Sequence, residues 1–145
     1  MGYETCMELA GAKIIAFQNF GSYQGDWLAC VEYKNEILLI NGSYGSCSGC
    51  DAFQGEFDCD SHEVKGEYHY YYELHDDCDE CKKLKEKMID FGKGYLDNPS
   101  NPEMLLEEYE KEKEWDGDKP EMIKFINEHF IEEKIKKMKD ILEGE

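Results

Sequence analysis

Apolar and polar positions along the chain fall into two regimes, a period near two in the first half and a period near three and a half in the second. Lys13 to Phe20 (KIIAFQNF) is rich in β-branched and aromatic residues and predicts a strand. Asp26 to Lys34 (DWLACVEYK) alternates, with Trp27, Ala29, Val31 and Tyr33 on one face and Leu28 and Cys30 on the other. Apolar residues on both faces predict partial burial on both. Lys34-Asn35-Glu36 turns the chain into Ile37 to Ile40, which predicts a hairpin. Residues 21–25 (GSYQG) read as a loop, and residues 1–11 as a weak helix or a tail. Val64 to Leu74, with Tyr68, Tyr70 and Tyr72 in register, predicts a further strand.

The helical regime starts near residue 77. Asp77-Cys78-Asp79-Glu80 has the pattern of a capping box, followed by an apolar stripe of Cys81, Leu84, Met88, Phe91 and Tyr95, with Gly92 and Gly94 weakening its end. Ser100-Asn101-Pro102-Glu103 predicts a second helix running to about Trp115. Lys119-Pro120 opens a third, with Ile123, Ile126, Phe130, Ile131, Ile135, Met138 and Leu142 as its stripe. The expectation is a single α+β domain over residues 1–145. A small antiparallel sheet of three to five strands (about 12–75) is followed by three C-terminal helices (about 77–142).

Charge changes this picture more than length does. The chain has 145 residues, 34 of them acidic and 16 basic, for a net charge of −18. All the basic residues are lysine. Without the bidentate fork of arginine, and with long-range repulsion from phosphates, direct nucleic-acid binding is disfavoured. A protein partner with a basic surface is favoured. Residues 51–80 concentrate the charge, with eleven acids against the single Lys65, and Asp58, Asp60, Asp76 and Asp77 are the candidate partner face. The tyrosine run within this segment lacks the cationic groove that a base-stacking platform needs. Glu4, Glu8 and Lys13 oppose a signal peptide, and no apolar run approaches membrane-spanning length. The expectation is a cytoplasmic protein with reduced thiols and no membrane contact.

Seven cysteines bring the candidate chemistry. Asn41 to Cys59 packs Gly42, Gly45, Gly49 and Gly55 around Cys47 and Cys50, and a CxxC pair on a tight turn presents two thiolates to one metal ion. With Cys78 and Cys81 the set has the look of a treble-clef zinc site, in which a glycine-rich knuckle and the first turn of a helix supply four ligands. The competing set keeps Cys47 and Cys50 and completes it locally with Cys59 and His62. A buried cysteine in the apolar stripe is the plainer account of Cys81. A separate reading makes the Gly/Ser/Cys-rich loop a small-ligand pocket lined by Tyr23, Trp27, Ser43, Tyr44 and Ser46. No catalytic residues are assigned, since nothing in the sequence fixes a base beside a nucleophile.

Residues 21–27 (GSYQGDW) and 42–53 (GSYGSCSGCDAF), with Phe91 to Leu96 (FGKGYL), resemble a group of small uncharacterised proteins of bacteriophages and prophages. The resemblance implies a phage-borne accessory protein acting in the cytoplasm of a bacterial host. It does not extend to Cys78 and Cys81. Two function classes follow. One is a non-enzymatic acidic binding protein, inhibiting a host or defence protein. The other is a small-ligand-binding protein or enzyme that uses the loop pocket.

Overall fold

The structure, a computed structural model, describes residues 2–21, 24–45, 51–57, 62–64, 66–69, 78–131 and 140. Three strands, β1 (Lys13–Gly21), β2 (Gly25–Tyr33) and β3 (Glu36–Tyr44), form an antiparallel sheet in the order β1-β2-β3. The β2–β3 hairpin closes on the Tyr33↔Glu36 pair through Lys34 and Asn35, both at positive φ (51° and 65°). That double left-handed turn matches the twist of the flanking strands, and asparagine tolerates it well. β3 runs four residues beyond the expected Ile40. Asn41 to Tyr44, expected in the glycine-rich loop, stay paired to β2 through Leu28↔Asn41 to Gly25↔Tyr44.

Apolar residues on both faces of β2 have the consequence anticipated for them. Trp27, Ala29 and Val31 enter one core with Ile40 and Tyr44, whereas Leu28 and Cys30 enter a second with Leu39 and Phe20. A bulge between Ile14 and Ala16 in β1 lets Ile14 and Phe17, three apart, pack on the same core. The sheet is therefore the middle layer of an α+β sandwich. One face carries α1 (Tyr3–Leu9), α2 (Ala52–Phe57) and α3 (Asp79–Leu96). The other carries α4 (Pro102–Glu112) and α5, α-helical over Lys119–Phe125 and widening into a π turn at Ile126–Ile131.

The sheet-then-helices order holds, but helices beyond the three expected are present. α1 buries Tyr3, Cys6 and Met7, a stripe of one turn and too short to register as periodicity. α2 buries Phe53 and Phe57, four apart, inside the stretch expected to be loop. The expected strand Val64–Leu74 is instead interrupted. β4 (His62–Val64) and β5 (Glu67–His69) pair as a separate two-stranded ribbon, turning through Gly66 at φ +88°. Residues 70–77 lie outside the described residues.

α3 follows its expected stripe, burying Cys81, Leu84 and Met88, with Phe91 and Tyr95 packed against the same core. Its N-cap is Cys78, one residue later than a capping box on Asp77 requires, and the Cys78 side chain makes no capping hydrogen bond among the described residues. Gly92 does not weaken the helix end but permits a contact, because a Cβ there would lie 2.1 Å from the Cys6 carbonyl oxygen of α1. α4 starts as expected, Asn101 accepting a hydrogen bond from the Met104 N–H at 3.1 Å, and ends three residues short of Trp115. In α5 the buried residues are Met122, Phe125, Ile126 and Phe130, so the expected stripe omitted two of its members. The π turn moves the phase, and Cys30 of β2 donates its thiol to the His129 carbonyl at 3.2 Å. The expected stripe positions Ile135, Met138 and Leu142 lie outside the described residues. Among the described residues, no helix is long and apolar enough to cross a membrane.

Candidate functional site

The glycine- and cysteine-rich stretch is clamped at its base. β3 ends at Tyr44 and α2 begins at Ala52, and residues 46–50 between them lie outside the described residues. Asp51 makes the closure. Its Oδ2 accepts from the Gly45 N–H at 2.9 Å, across the base of the Cys47–Cys50 stretch. Its Oδ1 accepts from the Phe53 N–H at 3.0 Å, capping α2, and from the Tyr3 hydroxyl at 2.5 Å. The Tyr3 oxygen in turn accepts from the Phe53 N–H at 3.2 Å. Asp51 is only 3% exposed and Tyr3 is fully buried. A buried carboxylate of this kind persists only when its lone pairs are satisfied, as these are.

Burial is the largest electrostatic effect at this corner. Burial, then the Asp51 hydrogen bond, holds the Tyr3 phenol well above its ordinary value, partly offset by the Phe53 N–H. Tyr95 is raised by burial and then by the Asp51 and Cys6 charges. Burial, followed by Glu4, pushes the Cys6 thiol up to about 12. The corner therefore keeps its phenols and thiol protonated and unreactive at neutral pH. Above it, Trp27 packs against Tyr3, Phe17 and Tyr95 with ring centroids 5.2 Å away in each case. Its indole N–H is buried without a hydrogen-bond partner among the described residues.

The sequence-derived pocket residues separate. Trp27 is wholly buried, and Tyr44 is buried with its hydroxyl donating to the Phe20 carbonyl at 3.0 Å. Ser43, their neighbour in β3, is exposed. Trp27 and Tyr44 belong to the sheet core, while Tyr23 and Ser46 lie outside the described residues. So do Asp58, Asp60, Asp76 and Asp77 of the acidic face, and the ligand candidates Cys47, Cys50 and Cys59. His62 stands in β4, where only its backbone is described. Cys78 and Cys81 are described, both buried, one at the N-cap and one in the first turn of α3. No group of three or more His, Cys, Asp or Glu placed to hold a metal occurs among the described residues.

Two sites were not anticipated. Asp51 had a local signal, an aspartate directly before Phe53 and Phe57 at helical spacing. Lys119 had none. Its side chain is nearly buried, and its ammonium faces Glu112 at 3.4 Å, Asp116 at 3.6 Å and Asp26 at 3.8 Å, over the Tyr109 ring at 4.6 Å. Three carboxylates for one cation tie the start of α5 to the end of α4 and the start of β2. Burial, then Asp26, Glu108 and Glu112, holds the Tyr109 phenol well above its ordinary value.

Charge also differs between the helices. α3 carries five lysines against four acids, whereas residues 102–116 carry seven acids against two lysines. The class defined by these features is an α+β protein with a helix-covered three-stranded sheet, a clamped cysteine-bearing loop and an acidic helical face. No protein-family model, curated protein or solved structure matches the chain.

Proposed function

We propose that this is a small acidic protein whose role is to bind another protein through a negatively charged surface. The observation that carries the reading is a local concentration of charge: within a net −18, residues 102–116 carry seven acids against two lysines, while the α3 helix is close to balanced. Local concentrations of one sign of charge steer and orient a basic partner, which an evenly acidic coat does not. The acidic segment 51–80, with Asp58, Asp60, Asp76 and Asp77, extends the same sign of charge. On the resemblance to phage proteins, the partner is a host or defence protein of a bacterial cell, inhibited by occupation of its basic surface in the cytoplasm. A structural zinc ion is part of the reading. The buried pair Cys78 and Cys81 at the start of α3 supports it, with Cys47 and Cys50 completing the shell; in the alternative shell Cys47 and Cys50 are completed by Cys59 and His62.

The test is affinity capture of host proteins on the immobilised chain at about 0.1 M and about 1 M salt, which shortens the screening length from ~10 to ~3 Å. A specific partner should be retained at low salt, released at high salt, and lost when Asp58, Asp60, Asp76 and Asp77 are all replaced by asparagine. Salt-independent retention, unchanged by the four replacements, would refute the reading.

A further inference from the structure

We propose that the outward face of α4 docks a basic amphipathic helix of the partner, with Met104 and Trp115 as its two apolar anchors. The inference rests on the acidic-binding reading above and adds which face is used and what chemistry it takes. Among the described residues, Met104 and Trp115 are the large hydrophobic side chains left exposed, at 68% and 74%. They are eleven residues apart, about three helical turns or ~16 Å, and so stand on the same side of the helix. Trp115 follows the end of α4, but its N–H and that of Asp116 still bond the Glu112 carbonyl, at 3.2 and 3.0 Å, which keeps the helical path.

α4 has its own core-facing side in Leu105, Leu106 and Tyr109, so packing within the chain does not explain the outward pair. Tryptophan and methionine are enriched at protein interfaces, and a buried tryptophan is a frequent binding hot spot. The charges between them select the occupant. Lys111 is paired with Glu107 at 3.7 Å and Lys113 with Glu110 at 2.6 Å, which consumes the positive charge of the helix internally. Glu103 and Glu108, beside the anchors, have no ion pair among the described residues. A complementary surface therefore carries lysine or arginine around two apolar side chains about three turns apart, which an amphipathic helix supplies.

Trp115 also reports on the test, because the only other tryptophan, Trp27, is fully buried. The probe is a synthetic helix of about five turns, with leucines on one face and lysines elsewhere, compared with a scrambled peptide of identical composition. Titration with the amphipathic peptide should shift Trp115 emission to the blue, and calorimetry should give an affinity that weakens with salt. The double variant Met104→Ala/Trp115→Ala should weaken binding at least tenfold with its melting temperature preserved, and Glu103→Lys/Glu108→Lys should do the same. Equal binding of the scrambled peptide, or affinity indifferent to the anchor variant, would overturn the inference. So would a blue shift that grows with protein concentration alone, which would assign the face to a second copy of the chain. Salt-sensitive binding that survives loss of the anchors but falls when Asp58, Asp60, Asp76 and Asp77 are neutralised would overturn this inference alone and leave the acidic-binding reading standing.

Discussion

Trp27 and Gly42 are direct cross-strand partners, and the indole occupies the space a side chain at residue 42 would fill. A Cβ on Gly42 would lie 2.5 Å from the ring. The ring cannot swing aside, since Trp27 is fully buried among Tyr3, Phe17 and Tyr95. Gly42→Ala should therefore cost about 1–3 kcal/mol by overpacking, read as a lower denaturation midpoint with an unchanged slope. An unaltered midpoint would show that the indole has room to yield.

Gly92 makes the equivalent contact between helices. A Cβ there would meet the Cys6 carbonyl oxygen at 2.1 Å and the Met7 nitrogen at 2.9 Å, both backbone atoms that cannot rotate away. Gly94, two residues on, has nothing within 4 Å. Gly92→Ala should lift α1 off α3 and destabilise the chain, while Gly94→Ala should stabilise it slightly through helix propensity. Thermal melting of the two variants side by side gives opposite signs if the contact is as described.

How far the sequence could be read follows from the range of each interaction. The hairpin at Lys34-Asn35, the Asn101 cap and the two-faced strand β2 were legible because each is specified by adjacent residues or by a simple period. α1 and α2 were not, since two or three buried side chains per helix give periodicity nothing to register. The extension of β3 through Gly42 was hidden because glycine normally signals a turn, whereas here it makes room for an indole from the next strand. Asp51 and Lys119 counted as surface charge by composition. Only the partners brought in by the fold, Tyr3 and Gly45 for one, Asp26, Glu112 and Asp116 for the other, make their burial tolerable. Cys47, Cys50 and Cys59, the cysteines that drew attention to this stretch, lie outside the described residues, and the Asp51 clamp beside them was not foreseen.

That clamp predicts a cooperative loss. Asp51→Ala leaves the Gly45 N–H, the Phe53 N–H and the Tyr3 hydroxyl without their common acceptor, at a cost of roughly 3 kcal/mol. Tyr3→Phe removes two hydrogen bonds, one to Asp51 and one from the Phe53 N–H, which keeps Asp51 as an acceptor, and should cost about 1–2 kcal/mol. Because both act on one network, the double variant should be less destabilised than the sum of the two. Strict additivity in melting or urea unfolding would mean that Tyr3 and Asp51 are not coupled.

Alkaline pH should unfold the protein at these same groups. Burial raises Cys6 from 9.0 to about 12 and holds Tyr3 and Tyr109 well above the ordinary tyrosine value of 10.0. A group whose folded value lies above its unfolded one contributes stability fully below the unfolded value and loses it as pH rises towards the folded value. The melting temperature should therefore not change through these groups between pH 7 and about 8.5, where their contribution is fully present, then fall progressively from about pH 9 towards 12. A melting temperature still level at about pH 11 would refute the assignment.

The last prediction concerns metal, and it turns on where Cys78 and Cys81 stand. Both are buried within one turn of the start of α3. If they close a zinc shell with Cys47 and Cys50, the purified chain should carry about one zinc per molecule, held tetrahedrally by four sulfurs. Chelation should then lower the melting temperature, because the ion binds the folded chain only. Serine replacements at Cys47, Cys50, Cys78 and Cys81 should each release the metal. Those at Cys6 and Cys30, which lie in the cores on opposite faces of the sheet, should not. Release on changing Cys59 or His62, with retention in Cys78→Ser and Cys81→Ser, would select the local shell instead. A metal-free chain whose melting temperature ignores chelators would eliminate both shells, leaving Cys78 and Cys81 as apolar filling beneath α3.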